Sequence, residues 1–199
     1  MKESVIKLIE VIMNKQELIN KVKEFLDTLN IEYLENDTSL LGDETLEFYI
    51  PSKAVAVVVN DFATHNSTYC ENGTPKSKRY HLQLTDKCLE KDVRLIHAWE
   101  HCINEELDCK FGSWEVLKNV IKSACSIYDR VIYARKCKVV VFPAKELKKF
   151  FDTNNINGFR SCSTAYCLVP KEIQNPTPDD VLMTYGVGHC YFGKRKIFC

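Results

Sequence analysis

Residues 45–65, TLEFYIPSKAVAVVVNDFATH, place an acid, two polar residues and a histidine around a strand pair. Apolar Leu46, Phe48 and Ile50 alternate with Thr45, Glu47 and Tyr49, which is the period of a half-buried strand. Pro51 stops that strand, Ser52 and Lys53 turn the chain, and residues 54–59 return as an unbroken apolar run. Glu47 is thereby presented beside a fully buried strand, and Asn60, Asp61 and His65 follow where that strand ends. A carboxylate on one hairpin strand and polar ligands at the mouth of its neighbour could hold a divalent metal against a phosphate.

The surrounding chain is large enough to bury a core that would hold such a site in place. At 199 residues it fits one ordinary domain or two small ones. Hydrophobic content of 45% and charged content of 27% are those of a water-soluble globular protein. No apolar run reaches the roughly 20 residues that span a bilayer, and the N-terminus lacks the h-region of a secretory signal. Cytoplasmic location and no membrane partner are the resulting expectations. Ten cysteines are present without a CxxC pair, so most are expected as free, half-buried thiols. A zinc held by some of Cys70, Cys88, Cys102 and His101 is the less favoured reading.

Net charge is zero, but its halves differ. Residues 1–110 hold 13 basic against 20 acidic side chains, and residues 111–199 hold 14 against 7. A basic C-terminal half suits contact with a polyanion backbone, although charge also fluctuates along any chain.

Asn14 followed by Glu17 is a capping-box pattern, and Leu18, Val22, Phe25, Leu26 and Leu29 then form one apolar stripe, predicting a helix over 15–29. A strand is expected near 31–34, with a turn at Glu35, Asn36, Asp37 and Thr38. Residues 61–78 read as a polar loop ending in Lys76, Lys78 and Arg79. A helix follows over 79–91, a strand over 93–99 and a second helix over 100–108. Ser113 caps a helix carrying Trp114, Leu117, Val120 and Ile121 inward. Beyond a boundary between 112 and 129, residues 131–142 alternate as a strand. Pro143 opens a helix whose buried side is Leu147, Phe150 and Phe151. Short strands and turns complete the chain, giving a mixed α/β class with domains at 1–112 and 113–199.

These segments in order, NKQEL, ENDTSLLGDETLEFYIPSK, VNDFATH, KSKRYHLQLTDKC and RLIHAWE, resemble the very-short-patch-repair-like branch of the PD-(D/E)xK nucleases, in particular phage homing endonucleases. IYARKC resembles the start of the module that follows the nuclease domain in many of them. The resemblance implies a PD-(D/E)xK mixed sheet flanked by helices, a small basic α+β C-terminal module, and metal-dependent cleavage of double-stranded DNA in an infected bacterial cell. Mg²⁺ is the implied cofactor, with Mn²⁺ able to substitute.

It makes Glu47 the main metal carboxylate, in place of the family's Asp, and His65 the general base or a donor to the scissile phosphate. His81 would stabilise charge on that phosphate. Glu17 would be a carboxylate on the metal side, unless the capping box alone explains it. Glu100 would orient His81 or a water, or simply satisfy the preference of helix N-termini for acids. Asp61 would replace an acid that the family's phage members carry where this chain has Val58. Lys76, Lys78, Arg79, Arg135, Lys136 and Lys138 would contact DNA phosphates. The alternative function is a relative that binds DNA without cutting it.

Overall fold

A computed structural model describes residues 13–63, 77, 79–107, 113–155, 158–159 and 162–188. These residues fall into two units, one ending at residue 127 and the other beginning at residue 128.

The first unit opens on helix α1, Lys15–Asp27. Asn14 Oδ1 accepts the Glu17 amide and Glu17 Oε2 accepts the Asn14 amide, each at 3.0 Å, so the capping box closes in both directions. Strands β1 (Leu34–Asp37), β2 (Leu46–Ile50), β3 (Val55–Asn60) and β4 (Arg94–Trp99) form a mixed sheet in that order. The β1–β2 and β2–β3 pairs are antiparallel and β3–β4 is parallel. The unbroken apolar strand is therefore interior, with the Glu47 strand antiparallel on one side, as its run of valines requires.

Because side chains alternate across a strand, β3 feeds two cores. Val55, Val57 and Val59 pack with Leu18, Val22, Phe25 and Leu26 of α1 and with Trp114, Leu117 and Ile121. Ala56 and Val58 pack on the opposite face with Leu84 and Cys88 of α2, Tyr80–Leu89. Cys88 and Cys102 belong to different clusters, so the two cannot share one zinc; Cys70 lies outside the described residues.

Four boundaries depart from the sequence expectation. The turn expected at residues 35–38 is mostly strand β1, an edge strand whose first three residues are exposed and so tolerate polar side chains. Helix α3, Glu100–Ile103, stops short of residue 108, because the Glu106 amide donates to Asn104 Oδ1 at 3.2 Å in a turn. Helix α4, Trp114–Ala124, is capped by Ser113 as expected but belongs to the first unit, since its apolar stripe completes that core. The strand expected from residue 131 begins only at Cys137, after a 3₁₀ turn at Ala134–Lys136. Its partner there is Pro170, and one residue earlier the Lys136 amide, which would continue the ladder, is turned onto the Tyr133 carbonyl at 2.8 Å.

The second unit is an antiparallel sheet, β5 (Cys137–Phe142), β6 (Thr164–Pro170) and β7 (Met183–Val187). A 3₁₀ turn at Ala144–Leu147 leads into α5, Lys148–Asn154. Leu147, Ala165, Cys167, Val169 and Val181 form its core, with Phe150 and Phe151 packed against them. No helix among the described residues is long and apolar enough to cross a membrane.

Candidate active site

The candidate site lies where β2 parts from β3. Their ladder ends at Phe48↔Val57, although β2 extends back to Leu46 and β3 on to Asn60. Beyond that point the Val59 amide donates to Glu47 Oε2 at 3.3 Å instead of to a strand carbonyl. The second oxygen of Glu47 meets the Lys15 ammonium at 2.7 Å. Only 9% of Glu47 is exposed, and these two donors explain how a carboxylate is tolerated there.

Glu47 opens into a cleft of about 250 Å³ lined also by Lys15, Asp43, Glu44, Asn60 and Tyr80. Asp43 and Glu44 both reach Lys87 Nζ, at 2.7 and 3.7 Å. The Tyr80 hydroxyl donates to Glu44 Oε2 at 3.4 Å. Burial, reinforced by the charges of Glu44 and Glu47, pushes that phenol up to about 12, so it stays protonated at neutral pH. Val58 also lines the cleft.

The remaining candidates divide. Glu17 is engaged in the capping box. His81 packs its ring against His97 and Trp99, with centroids 5.0 and 4.7 Å away, while its neighbour Tyr80 takes the place on the cleft wall. His97 in turn links Thr85, 3.0 Å from its Nε2, to Asn60, 3.3 Å from its Nδ1. Thr85 Oγ1 already donates to the His81 carbonyl, so the Nε2–H tautomer of His97 is the one that satisfies both contacts. That leaves the Asn60 amide oxygen free of this link. Asp61 is buried beside Glu100, and Glu100 Oε2 accepts the Phe62 amide at 2.8 Å. Arg79 is exposed just before α2. His65, Lys76 and Lys78 lie outside the described residues.

In the second unit, Arg135 and Lys136 are exposed, with Arg135 over the Tyr133 ring at 5.0 Å. Lys138 differs, because its ammonium is 2.5 Å from the Ile173 carbonyl.

Sequence reasoning overlooked Lys15, Asp43 and Glu44. A lysine in the first turn opposes the helix dipole, and that unfavourable placement was the available signal that Lys15 has a partner elsewhere. Asp43 and Glu44 carry no such mark, since an acidic loop is ordinary.

Among the described residues, no group of three or more His, Cys, Asp or Glu side chains is placed to hold a metal ion. The cleft lining does offer oxygen donors of the type a hard divalent cation takes, the carboxylates of Glu47 and Glu44 and the amide oxygen of Asn60. A carboxylate has about four lone-pair sites, so the bonds from Lys15 and Val59 leave Glu47 room for another partner.

Comparison with family models, with curated proteins and with solved structures gives no match for this chain.

Glu100 makes a pH-dependent prediction. Burial and the nearby Asp61 charge push its carboxyl up, against the Phe62 and Met13 amides that favour its ionised form. A carboxyl whose folded-state pKa exceeds its unfolded value of about 4.3 binds its proton more tightly in the native state. Stability from this group is thus present at low pH and falls as pH rises through the raised value. Glu100→Gln keeps an acceptor for Phe62 and removes the ionisation. Urea midpoints of this variant should exceed those of the parent at pH 8 and vary less between pH 5 and 8; identical pH slopes would assign the dependence to other groups.

Proposed function

We propose that the chain is a metal-dependent endonuclease acting on double-stranded DNA, with the Glu47 cleft as its active site and a PD-(D/E)xK-type fold in the first unit. The observation that carries this reading is the buried Glu47 carboxylate at the parting of β2 and β3, opening onto a cleft with further oxygen donors and a lysine. Glu47, with Asn60 and Glu44, would hold Mg²⁺ or Mn²⁺. The bound cation would supply Lewis acidity toward a phosphodiester.

The chain's own side chains supply the rest. Lys15 balances charge on the phosphate, and its half-exposed stem lets the ammonium swing from Glu47 to a phosphate oxygen. Tyr80 remains a hydroxyl donor at the cleft wall. His65 is the candidate base, since imidazole exchanges a proton near neutral pH. Arg135 and Lys136 would contact the DNA backbone from the second unit.

The second reading, DNA binding without cleavage, is favoured by the Lys15–Glu47 ion pair, in which an ammonium already neutralises the central carboxylate. Conversion of supercoiled plasmid in Mg²⁺ and in Mn²⁺ separates the two. The nuclease should nick or linearise the plasmid in at least one of them. Retained DNA binding with no cutting in either metal would leave the binding protein.

A further inference from the structure

An antiparallel sheet covered on one side normally turns polar side chains to water on the other. The sheet of the second unit does not. In register across its open face lie Val141, Tyr166 and Tyr185 as one row and Val139, Leu168 and Met183 as the next. All but Leu168 are between 47% and 63% exposed. Lys138 is the one charged residue in the three strands. Alternation turns it away from this face, and its ammonium meets the Ile173 carbonyl at 2.5 Å. The open face is thus an ordered block of apolar side chains and phenols with no charge on the strands beneath it.

The face is also uneven in depth. In these two rows its β5 edge carries only valines and its β7 edge the longer Met183 and Tyr185, with β6 between them. A two-fold axis along β6, lying midway between two copies, sets each thin edge over the other copy's thick edge, Val139 facing Met183 and Val141 facing Tyr185. Small then meets large throughout, as facing sheets require in order to interdigitate at about 10 Å separation. The area is sufficient: the exposed parts of these side chains amount to on the order of 500 Å² per copy, so two copies bury about 1,000 Å², the lower limit of a specific interface. Charge does not oppose the pairing. Residues 128–155, 158–159 and 162–188 carry eight basic and six acidic side chains, so two copies meet with little repulsion.

We propose that this face pairs with the same face of a second copy of the chain, as an isologous dimer in which two sheets form a sandwich with the α5 layers outside. Removal of the valines, Met183 and the tyrosine rings from water drives the association. A charged partner would leave its own charges unpaired against this face, a cost that a second copy avoids. An area near the lower limit makes the dimer a weak one, with a dissociation constant on the order of micromolar. The pairing requires neither DNA nor metal and is independent of the proposed function.

The test sediments the full chain in EDTA at concentrations from about 1 to about 100 µM, which bracket such a constant. The parent should shift from the mass of one chain to twice that mass across the range. Val139→Glu and Met183→Lys each place an unpaired charge in the interface and should raise the dissociation constant about tenfold or more. Their equimolar mixture sets the introduced carboxylate against the introduced ammonium across the two-fold and should restore the dimer. Both positions are exposed in the single chain, and far-UV circular dichroism checks that each variant is folded. Leu89→Lys, on exposed α2 surface of the first unit, should sediment as the parent does. A parent that keeps the mass of one chain at every concentration would overturn the proposal. So would a dimer that persists in both charged variants, or a mixture of the two that stays monomeric. A monomeric parent that floats with phosphatidylcholine vesicles would assign the face to a lipid surface instead.

Discussion

Glu47→Gln should lower the rate of plasmid cleavage in Mg²⁺ by about 100-fold or more. Glutamine keeps the acceptor for the Val59 amide, so the parting of β2 and β3 survives. What is lost is the negative charge that faces Lys15 and, in the proposed reaction, the divalent cation. Mn²⁺ binds mixed N/O ligand sets more tightly than Mg²⁺ and should recover part of the rate. Glu17→Gln is the control from the same neighbourhood. A glutamine at that helix position still completes the capping box, so the rate should stay within about twofold of the parent. A loss at Glu17 as large as that at Glu47 would bring Glu17 into the site. Val58 lines the cleft, and Val58→Glu should raise the Mg²⁺-dependent rate by adding a carboxylate beside Glu47. If Glu47→Gln cuts as fast as the parent, the cleft is not the active site.

A fragment ending at residue 112 should fail to fold, and one ending at residue 127 should fold cooperatively. Trp114, Leu117 and Ile121 of α4 close the core beneath α1 and β3, and Phe25 meets Trp114 edge-to-face with centroids 5.7 Å apart. Removing them exposes one side of that cluster to water. Within the whole chain, Leu117→Ala should cost about 2–5 kcal/mol, because a buried leucine leaves both a transfer loss and a cavity. Urea denaturation of the variant and heteronuclear NMR of the two fragments read these outcomes. A cooperatively folded fragment ending at 112 would separate α4 from the first unit.

Much of the first unit was legible because its local signals agree with its tertiary structure. The reciprocal Asn14–Glu17 cap, the apolar stripe of α1 and the continuous valines of β3 each name one element and its buried side. The parallel strand β4 was readable too, since an intervening helix separates it from β3. The polar strand β1 was not, because an edge strand is held by main-chain bonds to β2 and asks little of its own side chains. Likewise, residues 131–136 alternate as β5 does, and only the 3₁₀ turn that takes the Lys136 amide onto the Tyr133 carbonyl ends the ladder where it does.

The candidate site shows the same division. Sequence by itself determined that a carboxylate would stand on a strand beside a buried one, because alternation and the Pro51 break are local properties of the chain. It also determined the charge difference between the halves, which is composition alone. Only the tertiary structure decided what Glu47 meets. Lys15 is 32 positions away in sequence, Tyr80 is on another helix, and the Val59 amide became available because two strands part at one position. Which of several acids is buried, and which cation faces it, depends on packing between elements distant in the chain, and no local period encodes that.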